Sequence, residues 1–128
     1  MNKLSVLQNV KTVFTHPYPH ICIDEALPQS VYDELDATFP EELICSTTPH
    51  DGGICYRYKA KECAQEAPPA IWQDFFAYHT SPEYFQECAK VFEPHIVEAY
   101  GDEFMHNMLT KSVSVRDVDN SGHYVADC

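Results

Sequence analysis

The sequence predicts an α+β fold in a single domain spanning residues 1–128. Helical spacing of apolar residues marks the stretch from Pro28 to Phe39 and again from Ala70 to Ile96, a period of two replaces it near Ser112, and a proline-flanked apolar run opens the fold. The 128 residues suit one domain. A chain of this length buries roughly 65–70% of its unfolded surface and needs no disulfide or metal to fold.

The elements follow in order. Proline pushes the residue before it toward extended backbone, so Pro17-Tyr18-Pro19-His20 leads into a strand expected at Ile21-Cys22-Ile23-Asp24. Pro28 or Ser30 starts a helix with Val31, Tyr32, Leu35 and Phe39 as its apolar stripe, and Pro40 ends it. Asp33 and Glu34 are expected in its first turns, where the helix dipole favours acid. Glu41–Gly53 reads as a loop, with turn punctuation in Thr48-Pro49-His50-Asp51-Gly52-Gly53. Ile54–Lys59 reads as a short strand.

After Pro68-Pro69, a helix over Ala70–His79 carries Ile71, Trp72, Phe75, Phe76 and Tyr78. Thr80-Ser81-Pro82-Glu83 then reads as a capping box between Thr80 and Glu83, with a proline in the first turn of the next helix. That helix presents Tyr84, Phe85, Cys88, Val91, Phe92 and Ile96 on one broad face. Pro94 kinks or splits it, because proline removes a backbone donor and clashes with the preceding turn. Val113 and Val115 alternate with Ser112, Ser114 and Arg116 as in a half-buried strand. Asp119-Asn120-Ser121-Gly122 makes a turn, and His123–Cys128 is expected to return antiparallel.

Charge narrows the function. Twenty acidic residues against eight basic ones give −12. Phosphate backbones and anionic membranes are bound through clustered Lys and Arg, so neither nucleic acid nor a membrane surface is an expected partner. Met1–Phe14 lacks the continuous apolar stretch of a secretory signal, and no run approaches a membrane span. A cytoplasmic protein is expected. Cys22, Cys45, Cys55, Cys63, Cys88 and Cys128 have irregular spacing, which argues for free thiols, mostly buried as small hydrophobes.

Three segments together resemble the Fe(II)/2-oxoglutarate-dependent oxygenases related to prolyl hydroxylases. Pro17-Tyr18-Pro19-His20-Ile21-Cys22-Ile23-Asp24-Glu25-Ala26-Leu27-Pro28 is similar to that family's opening, and Tyr32, Leu35 and Phe39-Pro40 to its first helix. Trp72, Phe75 and His79 to Phe85 resemble its next helical region. Ser114-Val115-Arg116 and the run into Ala126-Asp127-Cys128 resemble the strand pair leading into the catalytic core. These are scaffold motifs. The resemblance implies helices packed on the first strands of an incomplete double-stranded β-helix. It also implies a chain that stops ahead of the metal-binding strands, with Fe(II) and 2-oxoglutarate belonging to the full-length protein.

The family's chemistry needs a His-x-Asp on one strand and a distal His, which bind iron on one face and leave positions open. None of His16, His20, His50, His79, His95, His106 or His123 is followed two positions later by Asp or Glu. No residue of this chain is therefore assigned as catalytic, cofactor-binding or metal-binding. The isolated chain is expected to be inactive and to associate with itself through unpaired C-terminal strands. The alternative is a non-catalytic, acidic protein-interaction module on the same scaffold.

Other candidates have ordinary readings beside them. His20 could ligate a metal but lies in a structural opening. Cys45, His50, Cys55 and Cys63 could hold zinc, yet lack the paired knuckle of such sites. Arg116 could bind a carboxylate or simply pair with an acidic neighbour. His123, Tyr124 and Asp127 would border the cavity of a complete β-helix, with His123, Val125 and Asp127 on one face. Trp72/Phe75/Phe76 and Tyr84/Phe85/Phe92 could line a pocket, but helical spacing makes them core first.

Overall fold

The computed structural model describes residues 2–46, 66–116 and 118–126. Among them the order is α1 (Gln29–Ala37), α2 (Glu41–Ser46), α3 (Ala70–His79), α4 (Pro82–Val91), α5 (Glu93–Tyr100), α6 (Asp102–Thr110), β1 (Val113–Val115) and β2 (Tyr124–Ala126). No helix among the described residues is long and apolar enough to cross a membrane.

The expected strand at Ile21–Asp24 is absent. The segment before it closes on itself instead, through an antiparallel bridge between Phe14 and His20 with bonds of 2.8 and 2.9 Å. Ile21 and Ile23 are half-buried and Cys22 exposed, so the alternation is real. No neighbouring strand meets it among the described residues, and a strand exists only by pairing.

Pro28 is the N-cap of α1, and its carbonyl accepts from the amides of Val31 and Tyr32. The helix starts at Gln29, so Asp33 and Glu34 fall beyond the first turn, which carries no acid. It ends at Ala37, before Pro40. Both the amide and the hydroxyl of Thr38 turn back to the Glu34 carbonyl, at 3.1 and 2.6 Å. Pro40 opens α2, its carbonyl accepting from Ile44 with Glu41 and Glu42 in the first turn. The loop reading of Glu41–Gly53 is thus corrected over Glu41–Ser46. A proline that stops one helix is well placed ahead of another, and acids there complement the helix dipole. Residues 47–65, including the strand expected at Ile54–Lys59, lie outside the described residues.

α3 has the bounds its spacing predicts. Its Ile71, Trp72, Phe75 and Tyr78 pack with Leu27 against a core of Leu4, Val31 and Leu35. The Trp72 indole donates to the Leu35 carbonyl at 3.1 Å, tying α3 to the last turn of α1.

The box expected between Thr80 and Glu83 is replaced by two single caps. Thr80 closes α3, its amide and hydroxyl both reaching the Phe76 carbonyl. Ser81 opens α4, its hydroxyl accepting from the Tyr84 amide at 3.2 Å, with Pro82 as first helical residue. Pro94 splits the following helix as expected: Phe92 closes α4 and opens α5. Gly101 separates α5 from α6 at φ 86°, which suits a residue with no Cβ. α4 is the hub, packed against α3, α5, α6 and β1. Ala89 and Met105 are the buried residues of α4 and α6, and Gln86 donates to the Leu109 carbonyl at 3.1 Å.

The two strands pair in parallel, Val113 with Tyr124 and Val115 with Ala126, correcting the antiparallel expectation. A helical turn, with the amides of Val118 and Asp119 on the Val115 carbonyl, carries the chain off β1. Asp119 then bonds the Ser121 amide in an Asx turn. The returning chain meets the start of β1, not its end: Ser112 takes the Tyr124 amide through its carbonyl and the His123 amide through its hydroxyl. Gly122 is required there, since a Cβ would lie 2.6 Å from the Ser114 nitrogen. Burial on β1 is also inverted: Ser114 is buried, receiving the Gly122 amide on its hydroxyl, and both valines are half-buried.

The expectation that the cysteines are mostly buried fails at Cys22 and Cys45, both exposed and free; Cys88 is free and half-buried. Cys55, Cys63 and Cys128 lie outside the described residues.

Candidate functional site

A group of polar side chains sits where α3 hands over to α4. The caps Thr80 and Ser81 turn the chain sharply, setting Tyr78 and His79 of α3 beside Tyr84, Glu87 and Cys88, which share one face of α4 by i, i+3, i+4 spacing. The N-terminal turns of residues 2–10 complete the group. Leu4 and Leu7 are buried, and Ser5 is fully so at 0% exposure.

Ser5 ties the group together. Its hydroxyl donates to Glu87 Oε2 at 2.6 Å, a charge-assisted length, and accepts from the Leu7 amide at 3.2 Å. The Tyr78 phenol is pushed up to about 12 by desolvation, reinforced by its hydrogen bond with the Glu87 carboxylate. Desolvation also raises Tyr84 and, half-buried beside it, the Cys88 thiol; these two groups are hydrogen-bonded. All three are neutral at physiological pH. A neutral, shielded thiol is a poor nucleophile, so covalent catalysis through Cys88 is not what this arrangement serves.

His79 stands among aromatic rings, 4.0 Å from Phe75 and 4.4 Å from Tyr84 between centroids. Its Nδ1 lies 2.8 Å from the Phe75 carbonyl and so carries the proton in the neutral ring. Nε2 is buried without a hydrogen-bond partner. Desolvation lowers its pKa, against smaller opposing effects of the Phe75 carbonyl and the Glu87 charge.

Two clefts flank the N-terminal turns. One of about 520 Å³ lies over this junction, lined by Asn2, Leu4, Asp74, Ala77, Tyr78, Ser81 and Glu83. Another, of about 550 Å³, lies at the start of α1 between Asn9, Glu25 and Tyr32. Asn9 donates to the Glu25 carbonyl at 2.6 Å, where Glu25 has φ 53°.

The residues singled out from the sequence scatter over the structure. His20 points one ring nitrogen at the Tyr18 carbonyl, 2.8 Å away, and stacks on Phe14. Cys45 ends up exposed on α2, while His50, Cys55 and Cys63 of the hypothetical zinc quartet lie outside the described residues. Arg116 follows β1 and is exposed. Tyr124 stacks on Phe85 at 5.6 Å and meets His123 edge-on at 4.7 Å; Asp127 lies outside the described residues. Trp72 and Phe75 belong to the core, and Phe76 stands beside Trp72. Among the described residues, no group of three or more His, Cys, Asp or Glu side chains is arranged to hold a metal.

Sequence reasoning missed Ser5, Glu87 and the cage around His79. The available signal was the Tyr84/Glu87/Cys88 spacing next to a strong helix boundary, but nothing local points to Ser5. Comparison with protein-family models, with characterised proteins and with solved structures returned no match.

Proposed function

We propose that these residues form the N-terminal helical support of an Fe(II)/2-oxoglutarate-dependent oxygenase acting on a substrate still to be identified. One observation carries the reading. Leu27 and Leu35 come from the segments resembling the family's opening and first helix. Trp72 and Phe75 come from the segment resembling its next helical region, about forty residues on, and all four pack in one core. Phe39, also in the resemblance, meets Trp72 edge-on at 5.7 Å. A shared scaffold requires its marker residues to meet in this way.

On this reading, iron and 2-oxoglutarate belong to the full-length protein, and its His-x-Asp and distal His lie outside these 128 residues. The exposed free thiols of Cys22 and Cys45 suit a reducing compartment, and we place the protein in the cytosol. We also propose self-association through β1 and β2, since each keeps an outer edge without a strand partner among the described residues.

The test uses the endogenous protein, captured with an antibody to this chain, beside the 128-residue chain alone. Anaerobic addition of Fe(II) and 2-oxoglutarate should give a saturable charge-transfer band in the endogenous protein and none in the short chain. No band in the endogenous protein would refute the enzyme reading and favour an acidic interaction module. A band in the short chain would refute the placement of the iron site elsewhere.

A further inference from the structure

Ahead of α1, the chain is held in a shape it would not take alone. Glu25 sits at φ 53°, a left-handed conformation disfavoured for a residue with a Cβ. Two adjacent side chains pin the turn: Asn9 donates to the Glu25 carbonyl at 2.6 Å and Gln8 to the Ala26 carbonyl at 3.2 Å. Leu27 packs against the core of Leu4, Val31 and Leu35, and Pro28 caps α1. The cleft of about 550 Å³ beside this turn is therefore walled by residues already fixed, so little ordering is left for a ligand to bring about. We propose that this cleft receives an arginine side chain of a partner protein, its guanidinium held by the Glu25 carboxylate and the Tyr32 ring.

The lining selects the ligand. Among the described residues that line the cleft, Glu25 alone is charged, so cations are drawn in and anions repelled. Two amides add acceptors. Each amide nitrogen meets a group that only accepts, Asn9 the Glu25 carbonyl and Gln29 the Asp33 carboxylate at 2.7 Å, which fixes both flips. The amide oxygens are left for a ligand that donates. Tyr32 follows the buried Val31 and turns outward at 55% exposure, offering a ring face that attracts a flat cation. Guanidinium meets every demand: it is planar, carries five donors and stays charged at any physiological pH. An ammonium is a hydrated point charge with no plane to stack, so lysine fits less well. Leu27 and Pro28 supply apolar surface for the methylene stem.

Charge also decides the source of the arginine. The free amino acid brings its own carboxylate to an acceptor-lined hollow in a chain of net charge −12, whereas a residue inside a peptide does not. Asp24 and Asp33, both exposed, stand next to the lining in sequence or by hydrogen bond, and they favour a partner with further basic residues. Lys11, two positions past Asn9, is exposed and outside the lining.

NMR titration of the isotope-labelled chain tests the site, using end-blocked glycine peptides with a central arginine, lysine or citrulline. The arginine peptide should shift the amides of Asn9, Gln29 and Tyr32 saturably and the lysine peptide more weakly. Citrulline, the same shape without the charge, should bind about tenfold more weakly than arginine. Glu25 and Tyr32 are exposed, so substituting them leaves the core in place. E25Q should weaken binding about fivefold, as for an exposed ion pair, and Y32A about threefold, with Y32F binding as the wild type does. E83Q, which removes a carboxylate from the other cleft, should change nothing. Four results would overturn the proposal: arginine and citrulline binding alike, wild-type affinity in both E25Q and Y32A, equal losses in E83Q and E25Q, or free arginine binding as tightly as the blocked peptide.

Discussion

Replacing Trp72 by Phe is the sharpest test of how the helices are joined. The Leu35 carbonyl lies in the last turn of α1, where carbonyls lack helical partners. The Phe39 amide, which could have closed that turn, bonds Asp36 instead, so the Trp72 indole at 3.1 Å is the donor given to Leu35. Losing that bond costs about 1 kcal/mol net. The ring also shrinks, and roughly 40 Å² of lost apolar burial at about 25 cal/mol per Å² removes ~1 kcal/mol more. Together the loss is about 2 kcal/mol, which shifts a urea midpoint by roughly 1 M at an m-value of about 2 kcal/mol/M. Equilibrium unfolding followed by circular dichroism measures it, with an unchanged slope as the sign that both end states are intact. A benzothienylalanine in place of Trp72 keeps the ring volume without the N–H and should lose about half as much. If both variants unfold within error of the wild type, Trp72 does not couple α1 to α3 and the core assignment is wrong.

Three further outcomes are expected. Ser81→Ala should cost about 1 kcal/mol by removing the α4 cap, measured by thermal or urea unfolding, and Thr80→Ala should cost less because its hydroxyl only supplements an amide already on the Phe76 carbonyl. Under native conditions a thiol reagent should label Cys22 and Cys45 quickly and Cys88 slowly, since Cys88 is half-buried with its pKa raised by desolvation; equal rates, read by peptide mass spectrometry, would contradict the burial pattern. Light scattering after size exclusion should show self-association that strengthens with salt, because the net charge of −12 opposes it at low ionic strength, and a monomer at every salt concentration would remove the edge-pairing proposal.

Elements governed by local chemistry were legible. Pro28, Ser81, Pro82 and Pro94 act within a turn of themselves, and α1, α3, α4 and the break before α5 fall where these residues direct. α2 escaped because proline was read as an end and not also as a beginning, with Leu43 and Ile44 too short a stripe to show a period. α6 escaped because its boundary is a single Gly101 and its buried residue a single Met105. The sheet was misread for another reason. Val-Ser-Val alternation announces a strand but not which face is buried or which direction its partner runs. Here the serine hydroxyls at 112 and 114 decide both, by binding the returning amides of His123 and Gly122.

The polar junction was illegible on different grounds. Its central bond joins residues 82 positions apart, and Ser5 carries no sign of its partner in the turns around it. A hydroxyl at 0% exposure is tolerated only where an acceptor is already waiting, so the burial of Leu4 and Leu7 and the placing of Glu87 depend on each other. The same coupling explains why one carboxylate bears on so much. Glu87 holds the N-terminal turns through Ser5, adds to the desolvation that raises the Tyr78 phenol, and supplies a charge that partly opposes the desolvation of His79. Removing the carboxylate should therefore be felt first in the N-terminal turns. Glu87→Ala takes from the buried Ser5 hydroxyl the acceptor 2.6 Å away and leaves the Tyr78 phenol as its neighbour. Hydrogen exchange of residues 2–10 should then rise while that of α5 and α6 holds, and unchanged exchange would show that this bond does not hold the turns.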